Sequence, residues 1–251
     1  MARRGFDSGP ANYGPVRSKF RSPTQSRELE DESLNWNPRA RVDQMWDFIG
    51  IYDSTATLGE GLTSAVAGTT PTVAQVANSI NGLVALTLTS TSEAQSARID
   101  TGDVLNFDPT KQPMIQAYIK TFGTAFTSVQ NLVFGFASAY NATLDSVASN
   151  MWFKLAGSNV LRVEGDDGTT DTDDQTTGRT LAVSTWYLLT VFARTLNRVE
   201  FWLDDDMVGT VSVPLLTATQ VLQPALILQK ASGTTVPAVQ VDYIRASQNR
   251  W

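Results

Sequence analysis

From Asp43 onward apolar residues come in short bursts, alternating with polar or small ones and broken by turn-rich stretches. Leu83–Ser90 puts Leu86 and Leu88 on one face of an extended segment. Met114–Thr121 and Asn131–Ala137 carry denser apolar runs and read as central strands. Met151–Leu155 and Val160–Glu164 flank Gly157-Ser158-Asn159, which predicts a hairpin. Further strands are expected over Trp46–Asp53, Trp186–Arg194, Arg198–Leu203, Met207–Val213, Ala225–Gln229 and Val239–Ala246. About a dozen short strands with turns between them predict an all-β, two-sheet antiparallel sandwich or jelly roll. Thr70–Ile80 is the best helical candidate, with Thr70 as N-cap and Pro71 at the first position. Amphipathic crossovers of the kind a βαβ fold needs are missing, and no internal repeat supports a solenoid or propeller.

Residues 1–42 follow another rule. Residues 1–27 hold Arg3, Arg4, Arg17, Lys19, Arg21 and Arg27 against one acid, Asp7, and are rich in Pro, Gly and Ser. That composition cannot bury enough apolar surface to offset its ordering entropy. Phe6, Tyr13 and Phe20 are spaced like anchors on an extended chain rather than a helix face. After the acidic turn Glu28–Glu32, Asn35-Trp36-Asn37-Pro38 ends any helix. We therefore expect an extended basic arm and linker over residues 1–42 and a β-sandwich domain over residues 43–251.

Charge sharpens this division. The chain's net charge of −6 divides into +5 on residues 1–27 and −11 on the remainder. The sequence has no Cys and no His, which removes Ser–His and Cys–His nucleophile pairs, thiolate chemistry and ordinary zinc sites. No apolar core of a signal peptide opens the chain and no run approaches eighteen apolar residues, so a protein made in the cytoplasm, without a membrane partner, is expected.

At residues 185–213 a more specific pattern appears. Thr185-Trp186-Tyr187-Leu188-Leu189-Thr190-Val191-Phe192 precedes Arg198-Val199-Glu200-Phe201-Trp202-Leu203-Asp204-Asp205-Asp206. Val199, Phe201 and Leu203 would alternate inward, and Asp204–Asp206 would form the turn. Together with Val239–Ala246, these segments resemble the paired and closing strands of concanavalin A-like (laminin-G-like) jelly rolls. An Asp stands where that family carries Gly, which predicts a looser turn. The resemblance implies the fold over residues 43–250 and is nearly silent on function, since this fold serves many activities.

Candidate chemistry is sparse. Glycosidases of this fold align carboxylates on one strand, as Glu-x-Asp-x-x-Glu, and the chain has no such run; Glu200 and Asp204 are the nearest pair. Catalytic residues and cofactors are therefore expected to be none. The segment Glu164–Asp174 is the most acidic, and Asp166, Asp167, Asp171, Asp173 and Asp174 could ligate calcium or form a solvated, ligand-facing loop. Of the six tryptophans, Trp46, Trp152, Trp186 and Trp202 fall in predicted strands and should pack in the core, whereas Trp36 and Trp251 fit an interface better.

A basic arm on a jelly roll without catalytic residues resembles the decoration (cement) proteins of tailed-bacteriophage capsids. That resemblance implies a virion protein on the outer capsid surface, binding the major capsid protein lattice non-covalently as a homo-oligomer, with a trimer among the states it allows. Its arm, through Arg3, Arg4, Phe6, Tyr13, Arg17, Lys19, Phe20, Arg21, Arg27 and Trp36, would thread between subunits. The alternative is a carbohydrate-binding module of a fibre or receptor-binding protein. Nucleic acid is disfavoured by the acidic domain.

Overall fold

A computed structural model describes residues 41–48, 58, 61–79, 82–195, 197–212 and 221–250. The expected arm residues and Trp251 lie outside them. Among the described residues the chain forms two antiparallel sheets. The first runs β13 (Asp206–Val211), β12 (Arg198–Leu203), β11 (Trp186–Thr195), β6 (Met114–Gly123), β15 (Pro237–Asn249), β4 (Val84–Thr87) and β3 (Thr72–Gln75), with β1 (Arg41–Trp46) also paired to β15. The second runs β10 (Asp171–Thr180), β9 (Val160–Asp166), β8 (Asn150–Ala156), β7 (Gln130–Ala137), β14 (Gln223–Lys230), β5 (Gln95–Asp100) and β2 (Thr63–Ala67).

The alternation along these strands explains the layering. On β7, Leu132, Phe134 and Phe136 point into the space between the sheets; on β12, Val199, Phe201 and Leu203 do the same from the other side. Phe153 on β8 meets Phe201 edge-on, ring centroids 5.2 Å apart, so the two sheets interlock through aromatic contact. The two segments read as central strands, now β6 and β7, sit fourth in their sheets. The fold is thus the two-sheet β-sandwich expected from the strand spacing.

Several local expectations need correction. Thr70–Ile80 does not start a helix. Thr70 takes a left-handed φ of 61°, Thr72–Gln75 forms β3, and the Val76 N–H donates to the Leu83 carbonyl at 2.7 Å, prolonging the β3–β4 hairpin. Burial of Val73 against the core and pairing to β4 outweigh the local capping signal. Of the strand expected over Trp46–Asp53, residues 49–53 lie outside the described residues; a strand over Arg41–Trp46 pairs with β15 and ends at Trp46. The β12–β13 turn is tight rather than loose: Asp204 adopts φ 54°, its N–H donates to the Leu188 carbonyl at 2.7 Å, and its Oδ1 accepts the Leu188 N–H at 2.9 Å. Aspartate tolerates the left-handed region, so Asp204 makes the bend itself, and neither Asp205 nor Asp206, at the family's Gly position, takes a positive φ. Trp46 and Trp152 are buried as expected, but Trp186 and Trp202 are only half-buried on the outer face of the first sheet, where Trp186 stacks on Tyr118 at 5.0 Å.

A second, smaller apolar cluster forms on the outer face of the seven-stranded sheet. Residues 138–149, between β7 and β8, make an Ω-type loop whose base is closed by the Ser138 N–H donating to the Ser149 carbonyl at 2.8 Å. Leu144 and Val147 of this loop bury themselves on Val133, Trp152 and Ile227. The loop therefore lies over the sheet face, and it organises what flanks it on either side.

Candidate functional site

On one flank of the Ω-type loop, β8, β9 and β10 converge on Lys154. The Lys154 side chain is almost fully buried, and its Nζ donates to Glu164 Oε2 at 2.8 Å and Asp145 Oδ1 at 2.9 Å, with Asp174 Oδ1 at 3.3 Å. Asp145 comes from the loop, Glu164 from β9 and Asp174 from β10, so three chain segments meet at one ammonium group. Asn150 donates its amide Nδ2 to Glu164 Oε1 at 3.2 Å, and Arg162 pairs with Asp174 at 3.3 Å. Burial pulls the Lys154 pKa down, but the hydrogen bond and charge of Glu164, with Asp145 and Asp174, outweigh it and hold the lysine firmly protonated. Burial pushes Glu164 up to about 7, against the opposing pull of Lys154 and with further repulsion from Asp173 and Asp174. Asp171 is likewise pushed up to about 6, by desolvation first and then by Asp173 and Asp166.

The acidic segment read from the sequence as a loop is therefore two different structures. Asp166 ends β9, and Asp166 and Asp167 turn the chain by accepting backbone N–H groups from Gly168, Thr169 and Thr170. Asp171, Asp173 and Asp174 lie instead on the edge strand β10, which pairs with β9 through two register shifts. Aspartate is a poor strand former, but pairing with β9 and the contacts of Lys154 and Arg162 with Asp174 hold the segment in the sheet.

The calcium expectation meets a specific obstacle. Carboxylate oxygens of Asp145, Glu164 and Asp173 lie within 4.8 Å of one another, but the Lys154 ammonium already sits against two of those three carboxylates. A calcium ion needs six to eight oxygens without a competing cation among them, so this set does not fit one. We expect a chelator to leave the melting temperature unchanged; a fall would reveal a bound cation.

A pH dependence follows from the same geometry. Because the folded pKa of Glu164 is raised above its unfolded value, the folded state binds the proton more tightly between about pH 4.5 and 7. Stability from this group is fully present below pH 4.5 and is lost as pH rises through 7. The domain is thus expected to melt higher near pH 5 than near pH 8, and Glu164→Gln should flatten that slope. A wild-type melting temperature that rises steadily from pH 5 to 8 would contradict this reading.

The pair Glu200 and Asp204 also separates into structural roles. Glu200, buried on β12, is held by Arg194 at 3.5 Å and Arg198 at 3.3 Å, while Asp204 is engaged by the backbone of Leu188.

On the other flank of the loop lies a pocket of about 280 Å³. Its floor is one cross-strand row of the sheet: Asn131 on β7 opposes Gln229 on β14, which opposes Ser96 on β5, which opposes Ala67 on β2. Residues in register on adjacent strands point to the same face about 5 Å apart, so the two amides and the hydroxyl form a continuous polar line. Tyr140 of the loop walls this line, its hydroxyl 3.3 Å from Ser96 Oγ and its ring covered on one face by the Arg98 guanidinium at 3.9 Å. Arg98 is fixed in turn by Asp100 at 3.1 Å. Ala94, Ala142 and Ala231 complete the rim and leave the space open.

The charge near this pocket is internally spent. Lys230, 2% exposed, donates its ammonium to the carbonyls of Thr89, Thr91 and Gly233, and so ties two turns beside the pocket. Gln95 is engaged by Thr69, Thr89 and Thr91. The side-chain amides of Asn131 and Gln229 are different: no hydrogen bond engages them among the described residues. The sequence reading passed over all four residues of this site. Asn131 opens a segment expected as a central strand, but the register that aligns it with Gln229 and Ser96 has no local signature.

No family model matches the sequence, and no curated protein matches it. Solved structures do match the fold. A protein of unknown function, SO2946 from Shewanella oneidensis MR-1, superposes with a TM-score of 0.61 at 14% identity, covering 91% of this chain and 94% of that one. The potassium-bound Emp46p carbohydrate recognition domain gives 0.56 at 10% identity, covering 80% and 94%. A sialidase gives 0.51 at 8% identity, covering 83% of this chain and 18% of that one. Likeness at these identities speaks to architecture, and the architecture of this chain is the concanavalin A-like jelly roll.

Proposed function

We propose that this chain is a carbohydrate-binding, lectin-like module. The observation that carries the reading is the pocket beside Tyr140, where an aromatic wall and two unengaged amides lie open on the sheet. Sugars present exactly two kinds of surface, C–H faces that pack on aromatic rings and hydroxyls that both donate and accept, and planar amides answer the second. The likeness to the Emp46p carbohydrate recognition domain supports the same reading through the fold. On a glycan array the full chain is expected to give a reproducible hit that free sugar competes away. An array without any hit would overturn the proposal.

A capsid-decoration role remains a second reading, supported by the charge division between residues 1–27 and the rest of the chain. It predicts that the full chain binds capsids as an oligomer and that a chain lacking residues 1–42 does not. Equal binding by both would sink it.

A further inference from the structure

Resting on the lectin-like reading, we infer that the pocket beside Tyr140 takes a single, uncharged pyranose ring at the end of a glycan, and takes it without a metal ion. Three observations lead there.

The first is size. At about 280 Å³ the pocket falls just under the usual range for drug-sized ligands, about 300–1,000 Å³, so it holds one ring rather than a chain of them. The Ω-type loop rises on one side, and the Lys230-tied turns close another, which gives the site an end-wall instead of an open trough.

The second is charge. A carboxylated, sulfated or phosphorylated sugar needs a cation to receive it. The ammonium of Lys230 is saturated by three carbonyls, and Arg98 is committed to Asp100 and to the Tyr140 ring. Desolvation lowers the Lys230 pKa, and the charge of nearby Glu93 offsets part of that. What the pocket does offer is neutral: amide N–H and C=O groups on Asn131 and Gln229, the Ser96 hydroxyl and alanine methyl groups.

The third is the spacing of the polar line. Asn131 and Gln229 are direct cross-strand partners, so each amide can bridge two neighbouring hydroxyls of one ring, with Ser96 next on the same row and held by the Tyr140 hydroxyl of the loop. None of the residues lining the pocket is a carboxylate, so nothing there would hold a cation between protein and sugar. The acidic cluster around Lys154 lies on the opposite flank of the Ω-type loop and plays no part.

The test is calorimetric titration of the full chain with methyl glucoside, methyl galactoside and methyl mannoside, against glucuronate and sialic acid, each with and without a chelator. At least one neutral glycoside should bind saturably, the acids at least tenfold more weakly, and the chelator should change nothing. Asn131→Ala and Gln229→Ala should each weaken binding about tenfold, the loss expected for one or two hydrogen bonds to a neutral group. Ala142→Trp, at an exposed rim position, should abolish binding by filling the mouth while leaving the amides and the melting temperature untouched. Binding that survives all three substitutions, that favours the acids or that needs a divalent cation would overturn this assignment while leaving the lectin-like reading intact. Absence of any glycan binding, on the array as in the calorimeter, would remove both.

Discussion

Lys154→Met should cost the domain about 3–5 kcal/mol, the loss expected when one partner of a buried ion pair is removed and the other stays behind. Glu164 is 1% exposed and relies on the Lys154 ammonium at 2.8 Å for its charge to be tolerable. Asp145 and Asp174, from the Ω-type loop and the edge strand, lose the same partner. Methionine fills most of the volume of the lysine stem, so the loss reflects charge rather than a cavity. Urea denaturation should show a lower midpoint with an unchanged slope. Two controls separate the electrostatic cause from misfolding. The loss should be larger at pH 8 than at pH 5, because Glu164 without its partner takes up a proton more readily. The double variant Lys154→Met, Glu164→Gln should recover a substantial part of it, since an uncharged pair in a buried place is far less costly than a lone carboxylate. A single variant as stable as the wild type would mean that the ammonium does not hold β8, β9, β10 and the loop together.

Gly135→Ala should be nearly as damaging, about 3 kcal/mol, for a reason that has nothing to do with charge. Gly135 lies at the centre of β7, directly opposite Trp152 on β8. A Cβ there would stand 2.2 Å from the Met151 carbonyl oxygen and 2.7 Å from Trp152 Cα. Neither is the movable end of a flexible side chain, so β7 and β8 would have to part in the middle of the seven-stranded sheet. Trp152 and the apolar cluster under the Ω-type loop would shift with them, and the pocket beside Tyr140 would feel the change. Gly178→Ala is the comparison. Its φ of 70° is also unfavourable for alanine, but no atom lies within 4 Å of the new Cβ. Thermal denaturation should show a much larger fall for the first substitution than for the second; equal effects would make backbone conformation, not strand contact, the cause.

How much of this was written locally in the chain depends on which residues carry it. Val199, Phe201 and Leu203 alternate with charged or half-buried neighbours, so the inward face of β12 follows from period, whereas the dense apolar run of β7 predicts a central strand without saying which face turns inward. Thr70-Pro71 looks like the start of a helix because capping is a local property, yet pairing with β4 and burial of Val73 decide the outcome. The run from Glu164 to Asp174 reads as a solvated loop because six acids in eleven residues repel each other. Only the fold supplies Lys154 and Arg162, from strands β8 and β9, to hold them. The pocket is the hardest case. Asn131, Gln229, Ser96 and Tyr140 are distributed over more than 130 residues, and none belongs to a motif. They meet because β7, β14 and β5 happen to be neighbours in a particular register, and because the 138–149 loop folds back over them. Strand order of that kind is set by long-range packing, which no short window of sequence contains.

The most direct measurement is a two-dimensional NMR titration of the isotopically labelled full chain with the neutral methyl glycoside that binds best. The side-chain amide signals of Asn131 and Gln229, with the backbone signals of Ser96 and Tyr140, should move together and saturate, while Lys154, Glu164 and the outer face of the eight-stranded sheet stay still. Movement confined to the acidic flank, or a spectrum unchanged at saturating glycoside, would contradict the account.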